Sequence, residues 1–143
     1  MNEKDKQLFL SLPDVVLLAL CVYGESRGEP YAGKCGVAHV VINRVKCKTW
    51  YGKGIKGVIL KPWQFSCFNT NDPNLQKLID LAHNPPYIDE QYLEIADGCI
   101  DGYIPSPVED ATHYHNIHVN PSWKNSMKFI VKIGNHLFYK EET

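Results

Sequence analysis

The chain has 143 residues, a formal net charge of −1, 44% hydrophobic and 22% charged residues. These proportions fit one folded domain over 1–143 and exclude a mostly disordered or fibrous chain. The longest apolar run, Val15 to Tyr23, is nine residues, short of the roughly 20 that a membrane-spanning helix needs.

The opening MNEKDKQLFLSLPD is charged and has neither a long apolar core nor a small-residue cleavage site. It does not read as a secretory leader, and residues 1–10 are expected to be a flexible segment. The first helix is predicted to start near Ser11 as N-cap, with Pro13 and Asp14 in its first turn. Its body, VVLLALCVY, is apolar all round and so reads as a buried helix ending between Gly24 and Gly28. A second helix is predicted from Pro30 to about Lys46. Ala32, Cys35, Val37, Ala38, Val41, Ile42 and Val45 give it an apolar face, with Lys34, Asn43 and Arg44 mostly opposite.

Residues 47–58 read as a loop, and a short helix is expected over Gly57 to Lys61, ended by Pro62. Leu75 to His83 and Asp89 to Ile100 carry helical periodicity, separated by Asn84-Pro85-Pro86. The last third is rich in β-branched and aromatic residues. Ala111 to Val119 and Lys128 to Tyr139 read as strands, with Gly134-Asn135 as a tight turn. The fold class is therefore α+β, a helical body with a small antiparallel sheet.

Charge is unevenly spread. Residues 1–71 carry ten Lys/Arg against five Asp/Glu, and Arg44 to Lys61 holds six basic residues and no acid. That stretch reads as a solvated surface or as a face for a polyanion. The five cysteines include no CxxC pair. A disulfide framework is not expected, and Cys21 and Cys35 read as small buried residues.

Three segments carry candidate chemistry. In Tyr23-Gly-Glu-Ser-Arg-Gly-Glu-Pro-Tyr31, Glu25 sits at the end of a buried helix. A desolvated carboxyl there could keep its proton and give it to a glycosidic oxygen. The competing reading is an ion pair with Arg27 or a capping contact. Glu29, just before Pro30, suits the positive end of the second helix and should stay ionised. The second segment is Trp63-Gln-Phe-Ser66, whose aromatic and amide groups can stack on sugars and bond their hydroxyls, or simply anchor a loop. The third is Ala-Thr-His-Tyr-His-Asn-Ile-His, residues 111–118, with His136 in a later strand. His113 and His115 share a strand face, and a zinc site built with His136 is conceivable, although no spacing here is diagnostic.

Taken together, LxLCVYGESRGEPYAGKCGVAHVVINRV, WQFS, ATHYHN and IGNHLFY resemble, in order, the blocks of the SleB/CwlJ family of cell wall hydrolases. The resemblance spans about residues 14–139. It implies a lysozyme-like, lytic transglycosylase-like fold and cleavage of the β-1,4 bond between N-acetylmuramic acid and N-acetylglucosamine in peptidoglycan. It puts the catalytic glutamate on Glu25, and leaves Glu29 as a structural or cleft-lining residue. By block membership, Gln64, Ser66, Thr112, His113 and Tyr114 are expected to hold the glycan. No metal or cofactor is expected. The partner is the glycan strand, not nucleic acid or membrane, and a monomer is expected. Synthesis in the cytoplasm with action on the wall is expected, as for a phage lysin released through a holin or a spore-packed enzyme. Rival readings are a zinc amidase or peptidase using His113, His115 and His136, a non-catalytic glycan-binding module, and a nucleic-acid binder using Arg44 to Lys61.

Overall fold

The computed structural model describes residues 1–47 and 50–142. Lys48 of the basic stretch, Thr49 of the expected 47–58 loop, and Thr143 lie outside the described residues.

Residues 1–10, expected from the sequence to be a flexible segment, are largely helical. They hold helix α1 (Glu3–Leu10), capped by Asn2, whose side-chain oxygen accepts from the Asp5 N–H at 2.8 Å. Phe9 is fully buried and meets Phe68 edge-on at 5.2 Å, which fastens α1 to the body. Ser11 ends α1 rather than starting the next helix. Its N–H donates to Gln7 O at 3.0 Å and its hydroxyl to Leu8 O at 2.6 Å. Helix α2 (Asp14–Ser26) begins after Pro13 and is buried continuously from Leu17 to Val22, as its unbroken apolar sequence requires.

Helix α3 (Tyr31–Cys47) packs on α2. The polar face expected on α3 is buried too. Lys34 Nζ donates to Gln91 Oε1 at 2.9 Å, Asn43 Nδ2 to Ala111 O at 2.9 Å, and Arg44 Nε to Thr112 O at 2.7 Å. Each buried polar head has a partner, so the helix can be enclosed on nearly all sides. Helix α4 (Gly54–Leu60) starts earlier than the sequence suggested. A 3-10 turn at Ser66–Phe68 leads to α5 (Asn74–His83) and α6 (Glu90–Asp101), and α6 packs on both α2 and α3. Asp89 caps α6 by accepting from Gln91 N–H at 2.9 Å, and Gly102, at φ +87°, closes it.

Strands β1 (His113–Asn116), β2 (Met127–Ile133) and β3 (His136–Glu141) form an antiparallel sheet in the order β1–β3–β2. The first strand is shorter than its β-branched sequence predicted. A bulge between Phe129 and Val131 breaks the simple alternation expected in β2. Gly134, at φ +58°, turns the hairpin together with Asn135. In the register, Tyr114 faces Phe138 and Asn116 faces His136. Period-two alternation therefore puts Tyr114, Asn116, His136 and Phe138 on one face and His113, His115 and Tyr139 on the other. Phe138 joins Val40, Val108 and Ala111 in a fully buried cluster that seats the sheet on α3.

Candidate active site

Glu25 lies in the last turn of α2, half-buried where the 3-10 turn and the sheet meet the helix end. Three neutral groups donate to its carboxylate. The Tyr114 hydroxyl donates to Oε1, the Cys67 N–H to Oε2 at 3.1 Å, and the Ser66 hydroxyl to Oε2 at 3.4 Å. Burial first, and then the Glu25 charge, hold the Tyr114 hydroxyl well above its ordinary pKa of 10.0. It therefore stays protonated and stays a donor. Burial, with the Cys21 and Glu25 charges behind it, also raises the Cys67 thiol, so that side chain is an apolar filler and its backbone amide does the bonding.

The close approach of the 3-10 turn depends on Gly24. A Cβ there would meet Cys67 Sγ at 2.7 Å and Cys67 Cβ at 2.8 Å. A side chain at position 24 would push away the turn that brings the Cys67 amide to Glu25.

The Glu25–Arg27 ion pair weighed from the sequence does not form among the described residues. Arg27 instead lies over the Tyr23 ring at 5.1 Å. Glu29 is also used differently from a simple dipole partner. Its Oε1 accepts from Asn135 N–H at 2.8 Å and its Oε2 from Asn135 Nδ2 at 3.3 Å. Glu29 thus ties the α2–α3 connection to the hairpin turn. His136 Nδ1 lies 3.8 Å from Glu29 Oε1, and the His136 ring packs on Tyr114 at 4.9 Å. Burial lowers the His136 pKa from 6.5, while Glu29 and Glu25 oppose that shift.

A second cluster centres on Arg44. It donates to Gln64 Oε1 at 3.1 Å as well as to Thr112 O, and its guanidinium stacks over Phe65 at 5.0 Å and Tyr51 at 5.2 Å. Gln64 and Thr112 are thereby clamped to each other through Arg44. Arg44 does not belong to a solvated or polyanion-binding face, because burial and these bonds enclose it.

His113 does not join Glu25. It stands on the opposite sheet face from Tyr114, between Tyr51 at 5.8 Å and Trp123 at 5.1 Å, with Nδ1 bonded to the Thr112 hydroxyl at 3.0 Å. Adjacent strand residues alternate, so His113 and Tyr114 point from opposite faces of the sheet. Burial first, and the Arg44 charge second, bring the His113 pKa down to about 4. The histidines do not converge on a metal either. His115 is engaged through Nδ1 with Asn116 O at 2.8 Å and through Nε2 with the Tyr139 hydroxyl at 3.1 Å, while His136 faces the other side. Among the described residues no group of three His, Cys, Asp or Glu is placed to hold a metal ion.

Sequence reasoning thus pointed to Glu25, Ser66 and Tyr114, which the fold brings together. It missed the Cys67 amide, which no side-chain pattern can reveal. It also missed the Asn135–Glu29 clasp, although Gly134-Asn135 marked the turn.

A helical body, a three-stranded antiparallel sheet and a carboxylate held between them define a lysozyme-like α+β domain of the SleB type. The chain belongs to the Cell Wall Hydrolase family, whose model matches residues 28–139. That match begins three residues beyond Glu25. The chain is 32% identical over 126 residues to a spore cortex-lytic enzyme of Bacillus subtilis, covering 87% of this chain and 37% of the relative. It is 34% identical over 128 residues to the Bacillus cereus spore cortex-lytic enzyme, covering 89% and 44%. The chain therefore spans less than half the length of these curated relatives. Among solved structures, the catalytic domain of the germination-specific lytic transglycosylase SleB from Bacillus anthracis superposes with a TM-score of 0.71 at 32% identity. That superposition covers 89% of this chain and 93% of the neighbour. The catalytic domain of Bacillus cereus SleB gives a TM-score of 0.66 at 32% identity, with 89% of each chain covered.

Proposed function

We propose that the chain is a peptidoglycan glycosidase that cleaves the β-1,4 bond between N-acetylmuramic acid and N-acetylglucosamine, with Glu25 as general acid and base. The observation that carries the reading is the Glu25 carboxylate. It is half-buried at a helix end, met by three neutral donors, and without a Lys or Arg ion pair among the described residues. Protonated Glu25 gives its proton to the glycosidic oxygen as that bond breaks, and positive charge develops on the muramic acid ring. The resulting carboxylate then takes the proton of the ring's own C6 hydroxyl, which closes a 1,6-anhydro bridge. The attacking hydroxyl is part of the substrate and acts at high effective molarity, so no second protein carboxylate is required.

The neighbours suit both halves of that cycle. The Ser66 hydroxyl can donate or accept as Glu25 changes state, while the Tyr114 hydroxyl and the Cys67 amide hold Oε1 and Oε2 as donors. Glu29, committed to Asn135, positions the hairpin rather than attacking. Asp110, at the start of the segment leading into β1, pairs with Lys140 at 3.5 Å. The names of the matched relatives, spore cortex-lytic enzymes and a lytic transglycosylase, support the same class of substrate. The chain acts on the wall as one domain and a monomer in this reading. Digestion of purified peptidoglycan tests it. New glycan ends with intact peptide stems are expected, and cut stems with intact glycan would refute it.

A further inference from the structure

Trp63 is one of two non-glycine residues at positive φ among the described residues, at +68°. Bulky L residues rarely adopt that conformation, and it is retained only where the surroundings enforce it. Burial is not what holds it, because the side chain is 78% exposed. The flanking chain is fixed instead. Gln64 N–H closes onto Lys61 O at 3.2 Å, Gln64 accepts from Arg44, and Phe65 is buried under the Arg44 guanidinium. Just beyond, Ser66 and Cys67 hold Glu25. The indole is thus presented to solvent from a rigid loop that also builds the candidate active site.

The ring forms one wall of a cavity of about 300 Å³ between α1 and the 60–70 segment. Phe65 and Phe68 supply apolar floor, and Glu3, Lys6, Lys61, Asn69 and Thr70 supply polar edge. An aromatic plane beside amide, hydroxyl, carboxylate and ammonium groups matches a pyranose, which offers a C–H face to the ring and hydroxyl or acetamido substituents at its rim.

We propose that Trp63 is a sugar-stacking platform, a subsite that carries a pyranose of the glycan strand beside the residues cleaved at Glu25. Trp63 and Ser66 are three residues apart, at most about 10 Å along the chain, within the length of one disaccharide unit. The proposal rests on the glycan reading of Glu25 and adds the direction in which the strand runs, from the Ser66–Cys67 turn toward α1.

The test uses the Glu25→Gln chain titrated calorimetrically with a tetrasaccharide of alternating, β-1,4-linked N-acetylglucosamine and N-acetylmuramic acid. Adding Trp63→Ala should weaken binding about tenfold or more, and Trp63→Phe should retain most of it. Trp63→Gly should lose binding while its Tm is not lowered, since glycine accepts the positive φ. In ¹⁵N-labelled protein the tetrasaccharide should shift the Trp63 indole N–H resonance, a readout that needs no alanine variant. Equal affinity of the Ala variant and its parent, or an unmoved indole resonance, overturns the platform. So does failure of the parent to bind the tetrasaccharide. Peptide-stem products in the digest would instead refute the glycosidase reading, whatever the titration shows.

Discussion

Tyr114 and Glu25 are 89 residues apart in the chain, yet the Tyr114 hydroxyl donates to Glu25 Oε1. That bond joins the sheet to the end of α2 and orients the carboxylate. Tyr114→Phe keeps the ring that packs on Phe138 at 5.6 Å and His136 at 4.9 Å, and removes only the donor. Steady-state cleavage should show kcat about 10- to 100-fold lower with KM little changed, as expected for one hydrogen bond to a charged group. A kcat within about twofold of wild type would show that Tyr114 does not support the reaction.

Gly24 is the second test of the same geometry. Gly24→Ala places a Cβ 2.7 Å from Cys67 Sγ, and should cost about 1–3 kcal/mol of stability by overpacking. Activity should fall further than stability alone explains, because the displaced turn carries the Cys67 amide. Urea unfolding and activity of the residual folded fraction separate the two effects.

Glu29 should behave as a clasp. Glu29→Ala removes both acceptors of Asn135 and should cost about 1–2 kcal/mol, with faster hydrogen exchange at the Asn135 amide. The ends left on digested peptidoglycan should be the same as those of wild type. A change from one kind of sugar end to another would give Glu29 a direct role in the chemistry.

His113 predicts a pH dependence of stability. Its pKa is brought from 6.5 to about 4 in the folded protein by burial and by Arg44. Between those values the unfolded chain binds the proton and the folded chain does not. Stability from this group is therefore complete above about pH 6.5 and is lost as pH falls toward 4. Burial also lowers the His136 pKa and acts in the same sense. Tm measured from pH 7 to 4.5 should fall, and the fall should be shallower in His113→Gln. Parallel curves would contradict this.

The legible parts of the fold were those with strong local signals. The run Val15 to Tyr23 fixed a buried helix, and Gly134-Asn135 fixed the hairpin turn. Ser11 misled because a hydroxyl residue two positions before Pro13 suits an N-cap, whereas here it satisfies the last carbonyls of α1. Residues 1–10 were opaque because the contacts that anchor them, Phe9 on Phe68 and the Met1 amino group on the Thr70 hydroxyl, are tertiary. Arg44 read as surface because charge is the sequence signal, while its partners, the Thr112 carbonyl and Gln64, come from other segments. Within the site, Glu25 and Tyr114 were visible as residue types in ordered blocks. Their division of faces with His113 was not, because it depends on the strand register.

The most direct test of the account is a parallel digest of purified peptidoglycan by wild type and Glu25→Gln, with the released fragments read by mass spectrometry. Wild type is expected to leave 1,6-anhydromuramic ends and the variant none. Undiminished cleavage by Glu25→Gln, or products cut in the peptide stems, would contradict it.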